Sequence, residues 1–363
     1  MKKQFLLLAA TAAFVACSQT DNFKEVGESP IDFTNVVIEK NTKGVISQAS
    51  DLYSPGFGVF GAKTVDNAAS QVFGQLSSES AGGTQVTKSG SAWAYTQKRY
   101  WDKEATQYDF FAYAPYNTVT NNVPLIGTIA WDKDAPTTSF AISGFKQKTT
   151  KADMVDILTA SAQRVGKDNY TNTVDFTFSH ILSNIHVQMA VSQDLKGDET
   201  HNPVTVVSVS LGAIKMDGNY AYNTSTSKYA WALASTQATA ATTFNATTSG
   251  TPAVVFPAAQ LTTTATDVPG LDGLLFVPQT LPSAANTEYV INVTYKIADE
   301  QFSKTIKLNS FVKKQEGQTD VPSSEWKIGY RYNYLLIIGP TPIVFGEPSI
   351  GPWTEETYQY TID

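Results

Sequence analysis

The sequence predicts an all-β protein, and three observations carry that reading. Short apolar stretches recur with a period of two and are separated by clusters of Gly, Asn, Asp and Ser. Tyrosine (17), phenylalanine (19) and β-branched residues dominate those stretches, the side chains that suit a pleated, half-buried surface. No stretch sustains the repeat of an amphipathic helix, and a charged fraction of 16% is low for a helix-rich soluble chain. Apolar residues at 42% are enough for packed cores, which must supply the stability because a single cysteine leaves nothing to pair. A net charge of −7 gives no basic footprint for nucleic acid or an anionic bilayer.

From the start of the chain, Lys2 and Lys3 precede an apolar run from Phe5 to Val15, and small Ala16 stands before Cys17. That is the layout of an export signal, residues 1–16, too short to span a bilayer. Phe14-Val15-Ala16-Cys17 resembles a bacterial lipobox, with Phe14 where leucine is usual, after which Cys17 carries acyl chains. Several chains at about 0.8 kcal/mol per buried methylene anchor a protein stably, where a single chain is marginal. An ordinary cleaved signal leaving a free thiol is the plainer alternative. Residues 17–30 read as a lipidated polar tether. Ile31, Phe33, Val36, Val37 and Ile38 then make a short strand over residues 31–39. Asn41-Thr42-Lys43-Gly44 follows as a polar loop with a trypsin-type cut site at Lys43-Gly44. One strand therefore sits between a lipid and a cleavable loop.

Removing the signal leaves 363 − 16 = 347 residues, which at about 150 per domain suggests two domains. Phe57 to Phe60 reads as a short apolar strand, and residues 74–90 as a polar connection. The blocks from Trp93 to Trp101 and from Tyr108 to Ala114 read as two strands of a hairpin, ended by Pro115. Polar residues 161–172 are the expected boundary, giving domains 31–170 and 171–363. Val174, Phe176 and Phe178 share a face, but the apolar phase then moves to Ile185, Val187, Met189 and Val191. A bulge or single helical turn between Ser179 and Asn184 is expected to reset the register. Val204 to Leu211, the run from Leu274 to Gln279 and the alternating Tyr289, Ile291, Val293, Tyr295 and Ile297 read as further strands. The strictest alternation is Trp326, Ile328, Tyr330, Tyr332, Tyr334, Leu336 and Ile338. Pro340 and Pro342 break it, and an extended tail over about 340–363 carries Ile343, Val344, Phe345, Ile350, Trp353, Tyr358, Tyr360 and Ile362.

With these pieces in order, the chain resembles the fimbrillin family of Bacteroidetes, the subunits of lipoprotein-derived (type V) pili. The matching segments are the lipobox at Cys17, Phe57 to Gly61, Trp93 to Tyr95 with Tyr100-Trp101, Tyr108 to Pro115, Phe178 to Ile185, Gly273 to Gln279, and Trp326 to Tyr330 with Trp353. The resemblance implies two transthyretin-like β-sandwich domains in tandem after a lipoprotein signal. It also implies export to the outer membrane, cutting of the loop after the first strand, and replacement of that strand by a C-terminal segment of another subunit. Residues 31–39 then match the removable strand, Lys43-Gly44 the cut site, and residues 340–363 the donor region. The family's best-known cut follows arginine, whereas the basic residue here is Lys43. Implied partners are other fimbrillin subunits, the outer membrane through the lipid, and a host or bacterial surface ligand. The alternative is a surface lipoprotein, tip or anchor subunit that binds a glycan or protein without polymerising.

No catalytic residue, cofactor or metal site is expected. Gly56-Phe-Gly58-Val-Phe-Gly61 spells GxGxxG, but a dinucleotide fingerprint needs a buried strand before it and a helix after it, and Pro55 stands immediately upstream. His180, His186 and His201 lack metal-ligand spacing and read as ordinary sheet histidines. Glu355 and Glu356 point to opposite faces of a strand, which removes them as an acid–base pair. The aromatic block from Trp93 to Tyr116 reads as core in preference to a sugar platform.

Overall fold

The structure, a computed structural model, describes residues 29–39, 48–52, 54–74, 82–120, 123–166, 173–234, 242–282, 289–313, 321–340, 344–345, 348–352 and 355–358. Strands dominate, as the alternation predicts. Among the described residues, helical turns are confined to Gln193–Gly197 and short 3-10 segments at Ala49–Leu52, Lys151–Asp153 and Leu308–Ser310. Among the described residues no helix is long and apolar enough to cross a membrane.

The first sheet has the order Phe33–Ile38, Val174–His180, Leu158–Val165, Gln107–Ala114, Phe57–Val65, Thr84–Ser89, Ala92–Ala94, with Ala68–Phe73 folded back on Phe57–Val65. Both of its faces are buried, which is why Phe57–Val65 reads as a nearly continuous apolar run. Phe57 and Val59 enter one hydrophobic cluster with Tyr108, Phe110, Phe176 and Phe178. Phe60, Phe111 and Tyr113 enter the other. On that second face the sheet packs against a four-stranded sheet ordered Lys228–Leu233, Asp217–Asn223, Ala141–Lys146, Thr128–Ala130. Phe111 and Phe140 stack at 4.3 Å across this interface, and Phe60 and Trp131 at 5.4 Å.

The same cluster continues between two more sheets. One is built on Thr266–Phe276, Ser183–Val191 and Tyr330–Ile338, and the other is ordered Thr242–Asn245, Val204–Ile214, Val290–Ile297, Glu300–Lys307. Ser183–Val191 and Tyr330–Ile338 pair in parallel, so Ile185, Val187 and Met189 lie beside Tyr332, Tyr334 and Leu336 in one buried layer. Trp326 stacks on Phe276 and donates its indole N–H to the Tyr334 hydroxyl, whose pKa burial pushes up to about 12.

Several local expectations are corrected. Residues 74–90 are not merely a connection, since Thr84–Ser89 forms a strand with Thr84 and Val86 buried. The hairpin between the two aromatic blocks does not form. Ala92–Ala94 pairs with Thr84–Ser89, while Gln107–Ala114 lies between Phe57–Val65 and Leu158–Val165. The boundary expected at 161–172 is crossed by pairing: Leu158–Val165 runs into it, and Val174–His180 joins the first sheet. Ala141–Lys146 also pairs with Asp217–Asn223, so segments before and after residue 170 interleave. The phase change at residues 179–184 is neither bulge nor helical turn. There the chain leaves the first sheet after His180 and enters another at Ser183. The long alternation from Trp326 is broken at Gly329, which has φ +70°, leaving Glu325–Trp326 and Tyr330–Ile338 as separate strands.

Gly56 shows what the first sheet demands of its backbone. It has φ +87°, and a Cβ there would stand 2.1 Å from the Val86 carbonyl oxygen. Gly90 also has positive φ, at +61°, but has open space around it. Gly56→Ala is expected to cost more than about 2 kcal/mol in urea unfolding, and Gly90→Ala about 1 kcal/mol. Equal losses would show that the clash with Val86 is not what Gly56 avoids.

Candidate functional site

The first strand of the chain occupies an edge of the first sheet and yet is deeply packed. Ile31, Phe33, Val36 and Ile38 are buried, while Val37 is 47% exposed. Strict alternation from Ile31 and Phe33 would bury Val37. A bulge prevents it: Phe33 faces Val174 and Val36 faces Phe176, so three residues on the leading strand span two on its partner. The extra residue, within Thr34-Asn35, shifts the inward phase onto Val36 and Ile38. Among the five residues assigned to this strand, Val37 is therefore the one that faces solvent.

Phe33 is the deepest anchor. It stacks on Phe176 at 5.6 Å and meets Phe57 at 6.2 Å, Phe73 at 5.6 Å and Tyr95 at 5.9 Å edge to face. Such pairs add to the area burial that a buried aromatic ring already contributes. The backbone is held from both sides. On one side the strand runs parallel to Val174–His180, with Val174 N–H donating to Asp32 O at 2.8 Å and Glu39 N–H to Phe178 O at 2.9 Å. On the other side Ile31 N–H donates to Arg99 O at 2.8 Å, and the Tyr95 hydroxyl donates to Ile31 O at 2.7 Å. Burial pushes the Tyr95 phenol up to about 12, so it stays a neutral donor across the physiological range. Arg99 is itself buried, with its Nε donating to Val72 O at 3.1 Å. The leading segment thus closes a gap between Val174–His180 and residues 99–101. Its polar contacts lie at the rim, where Asp32 meets Lys98 at 2.7 Å and the Ser179 hydroxyl donates to Glu39 at 2.7 Å.

Cys17, Lys43 and Gly44 lie outside the described residues. In the tail, Ile343, Trp353, Tyr360 and Ile362 do as well, while Val344, Phe345, Ile350 and Tyr358 fall within described strands. Those strands are seated on their own chain. Val344–Phe345 runs antiparallel to Tyr330–Ile338, with Phe345 opposite Leu336, and Pro348–Pro352 pairs with Glu355–Tyr358. The sequence signal for the tail was its extension; its pairing partner carried no signal at all. The cage around Phe33 was legible only as an excess of aromatic residues, because its members come from four separate stretches.

The other candidates take structural positions. Gly56–Gly61 leads into strand Phe57–Val65, where the nucleotide fingerprint needs a helix, and Gly58 lies against the Tyr113 ring. His180 contacts Asp156 at 3.0 Å with both side chains buried, and exposed His201 contacts Asp198 at 2.8 Å. Among the described residues no group of three or more His, Cys, Asp or Glu side chains is placed to hold a metal. His186 is buried beside Arg331 at 3.3 Å and Asp267 at 3.5 Å. Burial holds its pKa below the ordinary imidazole value, against the opposing pull of Asp267, so the ring is neutral at pH 7.

A sequence model of the fimbrillin-like family matches residues 54–353, most of the chain. The chain belongs to the fimbrillin-like family. The chain is 27% identical over 237 residues to fimbrium subunit Fim1C of Phocaeicola vulgatus, a match covering 61% of this chain and 59% of that relative's length. Its fold is similar to a crystal structure of a fimbrial protein from Bacteroides vulgatus, with a TM-score of 0.55 and 19% identity, covering 92% of this chain and 99% of that one. The family model is described as fimbrillin-like, and the Phocaeicola vulgatus relative is a fimbrium subunit.

Two measurements check the site. Phe33→Ala is expected to destabilise the uncut chain by about 3–5 kcal/mol, and Val37→Ala by less than about 0.5 kcal/mol. Comparable losses would place the anchors elsewhere. The second concerns pH. The folded pKa of His186 lies below its unfolded value, so the unfolded chain binds the proton more readily. Its contribution is present above the unfolded value of 6.5 and is lost as pH falls below it. Asp267, held down to about 2, acts in the same direction at lower pH, from its ordinary 3.8 downward. The urea midpoint should decline as pH falls below about 6.5, and His186→Gln should flatten the upper part of that decline. A midpoint unaffected by pH in both proteins would contradict it.

Proposed function

We propose that this fimbrillin is a structural subunit of a surface fimbria, exported as a lipoprotein through Cys17 and joined to its neighbours by exchange of the leading strand. The observation that carries this reading is the leading strand itself, an edge strand whose anchors are as buried as core residues. Four buried anchors at about 1.5–3 kcal/mol each give a gross gain near 6–12 kcal/mol, before the cost of ordering the strand. While the loop at residues 40–47 is intact, the strand rebinds at the effective concentration of a short tether, and a competing strand is excluded.

Cutting after Lys43 removes that advantage. The strand can then leave with the lipid, exposing the edge of Val174–His180 and the cage around Phe33. An exposed sheet edge beside an apolar groove is a site for another strand, since one segment satisfies both the backbone groups and the pockets. The donor is the tail over about 340–363 of another subunit, released from its own Tyr330–Ile338. Cutting and assembly are thereby coupled, because an uncut subunit has no vacant seat. The partners are other subunits of the same family and the outer membrane, and the assembled fibre would present a surface for adhesion.

The test is a chain carrying a specific protease site in place of residues 41–46. Uncut protein should run as a monomer in size-exclusion chromatography with light scattering. Cut protein freed of its leading segment should form oligomers and bind a peptide spanning residues 340–363. If it stays monomeric and binds no such peptide, the exchange reading is wrong.

A further inference from the structure

The four-stranded sheet ordered Lys228–Leu233, Asp217–Asn223, Ala141–Lys146, Thr128–Ala130 ends on one side in an unguarded strand. A long exposed edge recruits other strands unless it is bulged, broken by proline, charged inward or covered. Among the described residues, the other edge strands of six residues or more each carry such a device. Phe33–Ile38 and Ala68–Phe73 are bulged against their partners. Thr266–Phe276 is broken by two register shifts and contains Pro269. Glu300–Lys307 turns Lys304 inward, in line with Phe302 and Ile306 and opposite buried Val293. Lys228–Leu233 has neither proline nor bulge, and pairs in unbroken register with Gly218 to Asn223. Its one charge is Lys228, at its first position.

The strand is also held in a form ready for pairing. Tyr229 packs on Phe111 at 5.6 Å and its hydroxyl donates to Thr137 O at 3.1 Å. Trp231 packs on Phe145 at 5.5 Å and its indole N–H donates to Ile181 O at 2.7 Å. Ala234 N–H donates to Asp217 O at 3.1 Å, and bonded pairs alternate along antiparallel strands. Lys228, Ala230 and Ala232 therefore bond toward Asp217–Asn223, while Tyr229, Trp231 and Leu233 direct their N–H and C=O groups to the open edge.

We propose that this edge pairs with the same edge of a second copy, antiparallel about a two-fold axis at Trp231. Tyr229 then lies opposite the second copy's Leu233, and every outward backbone group finds its complement. The outer face selects a second copy as the occupant. Ala230 lies opposite the second copy's Ala232, so nothing bulky or charged opposes the approach. Lys228 lies opposite Ala234, whose neighbour on the adjoining strand is Asp217. Lys228 and that Asp217 share a face two strand spacings apart, about 10 Å, which the two side chains span together. The two-fold repeats this contact at the other end, so complementary charges bracket a small apolar centre. Other offsets that keep the outward groups opposite one another pair fewer of them and move Lys228 away from Asp217. A single strand pair belongs to the small interfaces, below about 1,200 Å². The chain therefore stays monomeric at chromatographic dilution and pairs where copies are concentrated. The association needs no cutting.

Sedimentation of the uncut chain with Cys17→Ser tests the pairing. It should be monomeric at about 5 µM and mostly dimeric at about 500 µM. Ala230→Lys with Ala232→Lys sets like charges opposite each other and should weaken association at least about tenfold, with little change in the urea midpoint. Lys228→Asp should weaken it too, and adding Asp217→Lys should restore it. Ala230 and the second copy's Ala232 form a non-bonded pair, where Cα atoms approach to about 4.5 Å, close enough for a disulfide. Mixed chains carrying Ala230→Cys and Ala232→Cys should cross-link on oxidation. Ala232→Cys mixed with Ala130→Cys, exposed on the opposite edge, should not. A chain still monomeric at the higher concentration that gives no cross-link overturns the proposal. Dimers indifferent to both lysines use another surface and overturn it equally. Neither outcome bears on strand exchange, which is read in cut protein.

Discussion

The packing of Phe33 among four aromatic rings is the interaction on which the N-terminal part of the fold depends. The ring cage draws on the strands at Phe57, Phe73 and Phe176 and on Tyr95 beyond the far edge of the sheet. A single side chain therefore ties one edge strand to elements at the opposite end of the sheet order. That is an unusual burden for an edge strand. Edges are normally short, charged or covered so that they do not recruit other strands. Here the edge is a segment whose four anchors, Ile31, Phe33, Val36 and Ile38, are buried. On the exchange proposed above, the arrangement holds while covalently closed and is open to substitution once it is not.

Much of the architecture was legible in the sequence because β-sheet alternation is a local signal. Ile185, Val187 and Met189, and likewise Tyr332, Tyr334 and Leu336, line one buried layer as their period of two predicts. What the sequence withheld was pairing. Nothing local in Trp93 to Trp101 announces that Ala92–Ala94 pairs with Thr84–Ser89 instead of with the aromatic strand that follows. The interleaving of Ala141–Lys146 with Asp217–Asn223 depends likewise on contacts far apart in the chain. Polar composition at 161–172 suggested a boundary, but Leu158–Val165 is a strand of the first sheet, so polarity alone did not mark one.

The leading strand shows the same limit at the scale of one residue. Its β-branched composition identified the strand, but composition does not say which of its residues face inward. The bulge reversed the phase, because matching Val36 and Ile38 to Phe176 and Phe178 buries more apolar surface than Asn35 and Val37 would.

Fate of the leading strand during assembly tests this account most directly. With Cys17 removed, a fluorophore on Val37→Cys sits on a solvent-facing residue of that strand and leaves its anchors intact. In a chain cut between residues 40 and 47, the label should leave with the small fragment as oligomers form, one label lost for each subunit joined. Oligomers that form while every subunit keeps its label would contradict the account, because the seat would still be occupied by the strand that was there first.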